Sequence, residues 1–418
     1  MKVINGKNMS NNLVGLSFED IKDAAKKIHG VIDDTPTNHA ITLSKITGAE
    51  VYIKFENRHF TASFKERGAL NALLSLSPKQ RQKGVIAASA GNHGQGLAYH
   101  GSRLGIPTTI AMPLGTPFIK ITNTKALGAE VVQIGKTFDE TANAALEIAK
   151  SKDLTLVHPF DNFLVMAGQG TIAIEVLKDV PDLDFLLVSV GGGGLISGVA
   201  TAAKAIKPDI QIIGVQSERF PSLYRAFNNE DYTAQGSTLA EGIAVKTIGK
   251  KNIIICNELV DDILLVGEEE IEKAIVMLMT VEKTVSEGAG ACPLAALIRY
   301  PEMFKGKKVG IVVTGGNIDT RLLASILMRS LVRDGRITRL RIELPDIPGA
   351  LSIISSIIGN QGGNIIDVSH HRLFTELPAK ETYSNITLET RDAQHLQDIL
   401  GELREEGFVV NVNRNIEM

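Results

Sequence analysis

Short apolar runs alternate with longer amphipathic stretches along most of the chain, from Val51 to Arg333. The short runs are rich in β-branched residues, and the longer stretches place apolar residues three and four positions apart. This alternation predicts crossover units and parallel sheets covered by helices on both faces. The predicted strands are Gly84–Ala88, Thr108–Met112, Glu130–Ile134, Phe185–Val190, Gln211–Gln216, Asp262–Val266 and Lys308–Thr314. The predicted helices are Ala69–Leu76, Gly96–Leu104, Ile119–Leu127, Asp139–Ser151, Gln169–Lys178, Ile196–Ile206, Glu269–Thr280 and Thr320–Arg333.

A polar turn at Asp334-Gly335 ends this alternation and predicts a hinge. Beyond the turn, the order of predicted elements is βαββαβ, the split βαβ pattern. These elements are the strand Arg339–Leu344, the helix Ala350–Gly359, the strands Asn364–His371 and Thr382–Glu389, the helix Ala393–Glu406 and a strand near Phe408–Val412. We therefore expect an α/β protein with a first region over residues 1–335 and a second domain over residues 336–418. Within the first region, a small subdomain at about 51–160 is expected to be inserted in a larger one.

The composition is that of an ordinary globular protein, because 44% of the 418 residues are hydrophobic and 22% are charged. The formal net charge of −3 and the absence of tryptophan argue against nucleic-acid binding, which needs a basic surface and favours aromatic platforms. The N-terminal segment Met1–Leu16 lacks the apolar stretch that a signal peptide needs, and no run of the chain approaches the length of a membrane span. No membrane association is therefore expected, and the expected compartment is the cytoplasm. Cys256 and Cys292 belong to no CxxC pair, which predicts buried free thiols and no metal site.

Two segments place polar residues at predicted junctions between a loop or strand and a helix. Ser63–Ala69 puts Lys65 beside Phe64 at the start of a helix, where a lysine is either a solvated surface residue or a catalytic one. Ser89–Gly96 follows a buried strand and opens a helix, so free backbone N–H groups and the positive end of the helix dipole favour an anion there. The alternative is an ordinary capped helix start, but three glycines with an asparagine and a histidine favour close approach of a ligand.

Two further segments place glycines directly after apolar strands. Gly191–Gly194 separates the strand ending at Val190 from a helix, and such a run predicts a backbone that wraps closely around a ligand, usually a phosphate. Its spacing fits neither the GxGxxG nor the Walker nucleotide motif, and the alternative is a tight strand-to-helix turn. Thr314 precedes Gly315-Gly316-Asn317 and places a hydroxyl at the carboxyl edge of the sheet, either as a ligand contact or as a helix cap.

The four segments together resemble the motifs of the fold type II pyridoxal-phosphate enzymes, in the branch of the threonine dehydratases, serine dehydratases and serine racemases. S-F-K-x-R-G-A falls on Ser63–Ala69, S-x-G-N-H-x-Q-G on Ser89–Gly96, G-G-G-G-L-x-S-G on Gly191–Gly198, and a hydroxyl residue with G-G-N on Thr314–Asn317. The resemblance covers about Asp33 to Arg333 and implies two open, twisted, mostly parallel sheets with pyridoxal phosphate as the cofactor.

The resemblance also implies roles for individual residues. The residues expected to contact the cofactor are, in chain order, Phe64, Lys65, Asn92, Gly191, Gly192, Gly193, Gly194, Leu195, Gly242, Glu287 and Thr314. Among them, Lys65 would hold the cofactor covalently, the glycine run would bind its phosphate, and the Thr314 hydroxyl would meet the pyridine nitrogen. The residues expected to bind the substrate carboxylate are Ser89, Asn92 and His93. Lys65 and Ser89 are the expected catalytic residues.

The implied reaction is the deamination of L-threonine to 2-oxobutanoate and ammonia, with conversion of L-serine to pyruvate as a secondary activity. Serine racemases have a second serine at the position of Ala90, so negligible racemase activity is expected here. The racemase-type divalent site has a glutamate at the position of Gln216, so no metal is expected unless the alignment shifts to Glu218. The alternatives are a serine or hydroxyaspartate dehydratase, a cysteine-type β-replacement enzyme, and a catalytically silent amino-acid sensor.

The second domain resembles an ACT domain, a small module that binds amino-acid effectors. The segments Leu344–Leu351 and Gly362–Ile365 match its effector-loop pattern. This resemblance implies feedback regulation by a branched-chain amino acid, isoleucine or valine, and the alternative is a module used only for subunit contact. A homo-oligomer, dimer or tetramer, is expected. The residues expected at the effector site are Asp346, Gly349, Ala350 and Asn364.

Overall fold

The computed structural model describes residues 15–231, 234, 236–372, 378 and 380–413. These residues form two compact units, the first ending at Ile318 and the second beginning at Asp319. None of the helices in these ranges is long and apolar enough to cross a membrane. Both cysteines are free and buried, which confirms the prediction from their spacing.

The first unit alternates short strands with helices. Its strands are β1 Thr37–His39, β2 Glu50–Lys54, β3 Val85–Ala88, β4 Thr108–Met112, β5 Glu130–Gln133, β6 Thr155–Leu156, β7 Phe185–Ser189, β8 Gln211–Ser217, β9 Asp262–Val266 and β10 Lys308–Val312. Its helices are α1 Phe18–Ile28, α2 Ile41–Thr47, α3 Lys65–Leu74, α4 Pro78–Lys83, α5 Asn92–Arg103, α6 Phe118–Ala126, α7 Phe138–Lys152, α8 Phe163–Asp179, α9 Gly194–Ile206, α10 Ser222–Asn228, α11 Lys250–Leu259, α12 Glu268–Thr280, α13 Gly288–Arg299 and α14 Pro301–Phe304. Short 3-10 turns cover Glu56–Arg58 and Glu241–Ile243.

Two sheets organise this unit. The larger sheet has the strand order β1-β2-β10-β7-β8-β9, and of these described strands β1 alone runs antiparallel to its neighbour. The smaller sheet has the order β5-β4-β3-β6 and is parallel throughout. All strands of the smaller sheet come from residues 85–156, between β2 and β7 of the larger sheet. The expectation of two mostly parallel sheets is confirmed.

The centre of the first unit is built on the apolar helices α8 and α9, which lie side by side. Glycines permit this contact, because a Cβ at Gly198 would lie 2.2 Å from the Met166 carbonyl oxygen and one at Gly170 would lie 2.7 Å from the Gly198 carbonyl oxygen. The two backbones therefore approach more closely than larger residues would allow. Buried residues of β7 and β8 pack into the same core, which explains why these strands are continuously apolar.

All seven strands predicted for the first region are present, each within two residues of its predicted bounds, whereas β1, β2 and β6 were not predicted. Three predicted helix starts are wrong by a turn or more, because α3 begins at Lys65 instead of Ala69, α5 at Asn92 instead of Gly96 and α8 at Phe163 instead of Gln169. The first turns of α3 and α5 contain polar or glycine residues, so an apolar period does not detect them, whereas the missed start of α8 is apolar throughout residues 163–167. The helix α13 was not predicted, since glycines and Pro293 interrupt its sequence although it is almost wholly buried.

The second unit contains a split βαβ fold after a first helix. Its elements are α15 Thr320–Arg333, β11 Ile337–Pro345, α16 Ala350–Asn360, β12 Asn364–His371, β13 Glu381–Glu389, α17 Ala393–Glu405 and β14 Val409–Asn413. The sheet order is β12-β13-β11-β14, with antiparallel neighbours throughout. Alternate strand residues such as Leu340 and Ile342 form a core with Ile354 of α16 and Ile399 of α17. The predicted βαββαβ order is confirmed.

Candidate active site

Lys65, the first residue of α3, lies between Pro159, which follows β6 of the smaller sheet, and Thr314, which follows β10 of the larger sheet and accepts a hydrogen bond from the Phe64 N–H. Its Nζ donates a hydrogen bond to the carbonyl oxygen of Pro159, at 2.9 Å, and lies 5.0 Å from the centre of the Phe64 ring. Burial lowers the Lys65 pKa to about 8 because surroundings of low polarity disfavour the ammonium form, and the nearby Glu287 carboxylate opposes this shift. A neutral amine is therefore accessible near neutral pH, as a nucleophile or a proton acceptor requires.

The glycine run Gly191–Gly194 links β7 to the start of α9. Within the described residues, no backbone N–H group from Gly191 to Leu195 donates a hydrogen bond to a protein acceptor. Unpaired N–H groups at a helix start, with the positive end of the helix dipole, form a site for an anion such as a phosphate. The glycines also allow close protein packing, because a Cβ at Gly192 would lie 2.3 Å from the ring of Phe160. A ligand is therefore not the sole reason for the glycine run.

Asn92 begins α5 and connects two parts of the site. Its Nδ2 donates a hydrogen bond to Glu287 Oε1 at 2.8 Å, and its Oδ1 accepts one from Asn317 Nδ2 at 2.8 Å. Asn317 Nδ2 also donates to the carbonyl oxygen of Thr61, at 2.7 Å. The Asn92 amide is thus held at both ends by residues far from it in the sequence. Asn317 was not among the predicted contacts, although it ends the fourth motif.

Glu287, the residue before α13, is the second titratable group of the site. Burial raises the Glu287 pKa to about 7 because the carboxylate loses hydration, while the Asn92 hydrogen bond and the charge of Lys120 act in the opposite direction. The Glu287 N–H donates to the carbonyl oxygen of Gly315, at 3.0 Å. A Cβ at Gly315 would lie 2.6 Å from Glu287 Oε1, so a glycine there makes room for the carboxyl group. Glu287 can therefore exchange a proton near neutral pH beside Lys65.

Ser89 and His93 both lie at the start of α5 and have protein partners. The Ser89 hydroxyl accepts hydrogen bonds from the N–H groups of Gly91 and Gly94, at 3.3 and 3.1 Å, which stabilises the helix start. His93 Nε2 lies 3.0 Å from the carbonyl oxygen of Val157, and burial lowers the His93 pKa to about 3. His93 is therefore a neutral ring that donates to a backbone carbonyl. Binding of a substrate carboxylate by these residues stays a prediction.

Thr314 and Gly242 lie next to residues already described. Thr314 is almost fully buried, and its carbonyl oxygen accepts a hydrogen bond from the Phe64 N–H at 3.1 Å. A Cβ at Gly242 would lie 3.2 Å from Glu287 Oε1, and one at Gly191 would lie 3.5 Å from the Gly242 carbonyl oxygen. The structure thus brings the four predicted segments and the two further predicted contacts to one place.

The segment His158–Asp161, between β6 and α8, was not among the predicted site residues. It supplies the Pro159 carbonyl that meets the site lysine and the Phe160 ring that packs on the glycine run. Asn252 Nδ2 donates to the carbonyl oxygens of Phe160 and Gly192, at 3.2 and 2.9 Å. In the sequence, this segment is a short polar and aromatic stretch after an apolar run, which is typical of an ordinary loop.

Gln216, at the position considered for a divalent cation, is buried and has protein partners. Its Nε2 donates to the carbonyl oxygen of Val190 and to Ser222 Oγ, at 3.1 and 3.3 Å, and its Oε1 accepts from two N–H groups at the start of α10. Glu218 instead forms an ion pair with Arg299, at 2.6 Å. In the part of the chain that the structure describes, no group of three or more His, Cys, Asp or Glu residues is arranged to hold a metal ion.

Of the residues predicted for an effector site, Asn364 lies apart from the other three within one copy of the second unit. The Asp346 N–H donates to the carbonyl oxygen of Lys380 beside one end of β13, whereas Asn364 pairs with Glu389 at the other end. Because a strand rises about 3.4 Å per residue, these ends are roughly 27 Å apart. Gly349-Ala350 begins α16, and Gly349 has the left-handed φ of 91° that favours glycine.

A buried amine with a lowered pKa, next to an anion site at a helix start, suits a cofactor that bears an aldehyde and a phosphate. Asn92, hydrogen-bonded to Glu287, and Thr314, hydrogen-bonded to Phe64, add polar groups near this amine. The two parallel sheets with a lysine between residues that follow a strand of each, together with this site, define the class of pyridoxal-phosphate dependent enzymes.

Comparison with known families gives the same result. The family model described as pyridoxal-phosphate dependent enzyme matches residues 28–315, and the model described as ACT domain matches residues 334–414. The chain belongs to the pyridoxal-phosphate dependent enzyme family and has a C-terminal ACT domain. The predictions of the family, of an enzyme and of the cofactor are thereby confirmed.

Individual relatives cover most of the chain. An L-threonine ammonia-lyase of Thermotoga maritima is 42% identical over 399 residues, which are 95% of this chain and 99% of that protein. The structure of the processed form of threonine deaminase isoform 2 from Solanum lycopersicum is similar with a TM-score of 0.71 and 35% identity, covering 78% of this chain and 93% of that one. Maize serine racemase gives a TM-score of 0.71 and 29% identity, covering 76% and 98%.

Proposed function

We propose that this protein deaminates L-threonine to 2-oxobutanoate and ammonia, with L-serine converted to pyruvate as a slower reaction. The observation that supports this most directly is the buried Lys65 amine, with a pKa of about 8, near a glycine run with free N–H donors. The name and coverage of the Thermotoga maritima relative support threonine as the substrate. Threonine and serine differ by one methyl group, which is worth about 1–3 kcal/mol in a pocket, so both can react.

Pyridoxal phosphate would be held by residues of the four sequence motifs. Lys65 would bind it covalently, the N–H groups from Gly191 to Leu195 would bind its phosphate, Asn92 would flank its ring, and the Thr314 hydroxyl would meet its pyridine nitrogen. When bound, the cofactor withdraws electrons from the substrate Cα, which acidifies the Cα proton and assists loss of the β-hydroxyl. A hydroxyl at the pyridine nitrogen stabilises a protonated ring less than a carboxylate does, which favours elimination over transamination or racemisation.

The chain's own groups would bind the substrate and move its protons. The free Lys65 amine, with its pKa of about 8, is suited to take the Cα proton near neutral pH. Ser89, Asn92 and His93 would bind the substrate carboxylate at the start of α5, where the helix dipole favours an anion. Glu287, with a pKa of about 7, would hold or release a proton beside the Asn92 amide.

Trapping of the cofactor tests its attachment. After borohydride reduction and peptide mapping, we expect a pyridoxyl label on Lys65 and loss of both label and activity in Lys65→Ala. Lys79→Ala changes an exposed lysine of α4 and is the matched control, which should keep the label and the activity. A label on another lysine, or an active Lys65→Ala variant, would contradict the proposal.

A substrate panel tests the specificity. In a 2-oxo acid assay, kcat/KM should be highest for threonine, lower for serine and lowest for hydroxyaspartate, and amino-acid analysis should detect no β-replacement product. A higher value for serine or hydroxyaspartate would assign the protein to those dehydratases instead. If Lys65 carried the pyridoxyl label but none of these amino acids were converted, the result would favour a catalytically silent amino-acid sensor.

The residue at position 90 tests the preference for elimination. Ala90 has no hydroxyl that could act as an acid or base, so formation of D-serine from L-serine should be negligible beside formation of pyruvate. Ala90→Ser is expected to raise the ratio of D-serine to pyruvate. Equal rates of racemisation and elimination in the wild-type protein would refute this part of the proposal.

We also propose that the ACT domain binds a branched-chain amino acid in a homo-oligomer. Asp346 and Asn364 lie near opposite ends of β13, so an effector site that uses both would need two copies of the domain. Light scattering should therefore show a dimer or tetramer, and isoleucine or valine should change both the kinetics and the melting temperature. Asp346→Ala should abolish these changes. A wild-type protein that responds to neither amino acid would remove the proposal.

A further inference from the structure

The segment His158–Asp161 lies between the Lys65 amine and the glycine run. His158 Nδ1 accepts hydrogen bonds from the N–H groups of Phe160, at 3.4 Å, and Asp161, at 2.9 Å. A ring nitrogen that accepts from two N–H groups bears no proton of its own, so His158 is neutral with its proton on Nε2. The side chain therefore closes a tight turn of its own backbone.

This turn fixes groups on both sides of the site. On one side, the carbonyl oxygen of Pro159 accepts a hydrogen bond from the lysine Nζ at 2.9 Å. On the other side, the Phe160 ring packs on Gly192, and the Phe160 carbonyl oxygen accepts from Asn252 Nδ2, which also donates to the Gly192 carbonyl oxygen. The turn thus connects the amine to the glycine run.

We propose that His158 is a positioning residue that, as a neutral acceptor, holds the Pro159 carbonyl against the Lys65 amine and directs the amine lone pair at the substrate Cα. The inference rests on the proposed function, in which the free amine of Lys65 takes the Cα proton. A neutral amine has two N–H bonds and one lone pair, so an N–H that is fixed on a carbonyl restricts rotation about the Cε–Nζ bond. Misplacement of reacting groups by about 1 Å can cost about 100-fold in rate.

Protonation of His158 would remove this acceptor. The ring would then present an N–H to two backbone N–H groups and place a cation near Lys65 and Lys251. Burial is the main cause that lowers the His158 pKa, Asp161 opposes the shift, and Lys65 and Lys251 add to it. His93, which also faces this ring, is neutral. Because the folded-state pKa is the lower one, the turn is stable above the ordinary histidine value and opens as the pH falls through the folded-state value.

Two variants separate the acceptor from the rest of the side chain. An asparagine accepts hydrogen bonds from the following backbone N–H groups and does not titrate, whereas a leucine fills space without accepting. In the holoenzyme at pH 8, we expect His158→Leu to lower kcat for threonine at least about 10-fold, with KM changed by less than about threefold. His158→Asn should keep kcat within about threefold of the wild type and move the acid limb of its pH profile to lower pH.

These variants also define the results that would overturn the inference. A wild-type kcat in His158→Leu would show that no acceptor is needed. A loss in His158→Asn as large as in His158→Leu would show that the position serves only packing, and it would be decisive even if the leucine variant folded poorly. If the fall of kcat at low pH were the same in His158→Asn as in the wild type, protonation of His158 would not be its cause.

A readout independent of turnover is the NMR spectrum of the 15N-histidine-labelled holoenzyme. The signal that disappears in His158→Asn identifies His158. In the wild-type protein, this signal should show the neutral ring with its proton on Nε2 even below pH 6.5, the ordinary pKa of a histidine. A proton on Nδ1 at pH 8 would overturn the inference. Borohydride labelling of Lys65 separates the two proposals, because an unlabelled wild-type protein would count against the proposed function, whereas a labelled and fully active His158→Leu would count against this inference alone.

Discussion

Replacement of Glu287 by glutamine is expected to stabilise the apoenzyme at alkaline pH, although Glu287 lies in the candidate active site. The Glu287 carboxyl has a pKa of about 7 in the folded chain, against an ordinary value of 4.5. Because the folded-state value is the higher one, the folded chain binds this proton more tightly, and its contribution to stability is lost as the pH rises from about 4.5 to 7. Glutamine keeps an oxygen that can accept the Asn92 hydrogen bond but has no charge to desolvate.

The size of the effect follows from the two pKa values. One pKa unit corresponds to about 1.4 kcal/mol, so the difference between 4.5 and about 7 corresponds to about 3 kcal/mol at pH 8, where the carboxyl is ionised in both states. At pH 5 roughly 1 kcal/mol of this penalty remains, because the carboxyl is then protonated in the folded chain and only partly ionised in the unfolded chain. The full gain requires that glutamine pack as glutamate does.

The assay is urea denaturation of the apoenzyme at several pH values between 5 and 8. The apoenzyme is used because cofactor binding would add its own contribution to the free energy of unfolding. Glu302→Gln changes an exposed glutamate of α14 and is the matched control, which should alter stability by less than about 0.5 kcal/mol at every pH. A Glu287→Gln effect that did not depend on pH, or a loss of stability at pH 8, would refute the reasoning.

Three further predictions concern packing and burial. Gly192→Ala should weaken cofactor binding at least about 10-fold in an absorbance titration, because the added Cβ would clash with the Phe160 ring. Gly359→Ala is the control and should leave cofactor binding unchanged, because its added Cβ would lie in open space. Arg67→Met should lower the free energy of unfolding in urea by about 3–5 kcal/mol, because this buried guanidinium pairs with two glutamates. Both cysteines should resist a thiol reagent until the protein unfolds, because burial raises the pKa of each thiol. The first argument would be contradicted by wild-type cofactor affinity in Gly192→Ala, and the second by an unchanged unfolding midpoint in Arg67→Met. Rapid labelling of the thiols in the native protein would contradict the third.

Seven strands of the first unit could be predicted from the sequence because most buried parallel strands are continuous apolar runs, whereas β1, β2 and β6 were not predicted. The run that ends at Val190 and the glycines after it mark both the strand β7 and the turn beyond it. Helix starts such as Lys65 and Asn92 were harder to predict, since the first turns of these helices are polar or glycine-rich and show no apolar period. The helix α13 shows the same limit, because small residues and a proline leave no amphipathic period.

The candidate site could be predicted only where it consists of local motifs. Lys65 and the glycine run each follow from a few adjacent residues. Pro159 contributes a backbone carbonyl, which any residue has, and it lies 94 positions from Lys65 in the sequence. Asn92 and Glu287 are 195 positions apart, and only folding shows that one donates to the other. Contacts of this kind leave no periodic pattern and no characteristic residue type in the sequence, so they can be recognised only once the arrangement of the two sheets is known.

Asn92 shows why the proposed chemistry depends on both sheets at once. It starts a helix that follows the smaller sheet, yet its amide is fixed by Glu287 and Asn317, which come from the chain after β9 and β10 of the larger sheet. Lys65 is likewise bonded to Pro159, just after the last strand of the smaller sheet. A change in the spacing of the two sheets would therefore break hydrogen bonds at the asparagine and at the amine together. Because the folded protein already holds the Asn92 amide and the Lys65 amine in place, substrate binding does not have to order these side chains. Less of the binding free energy is then lost to ordering, and the reacting groups are already positioned for proton transfer.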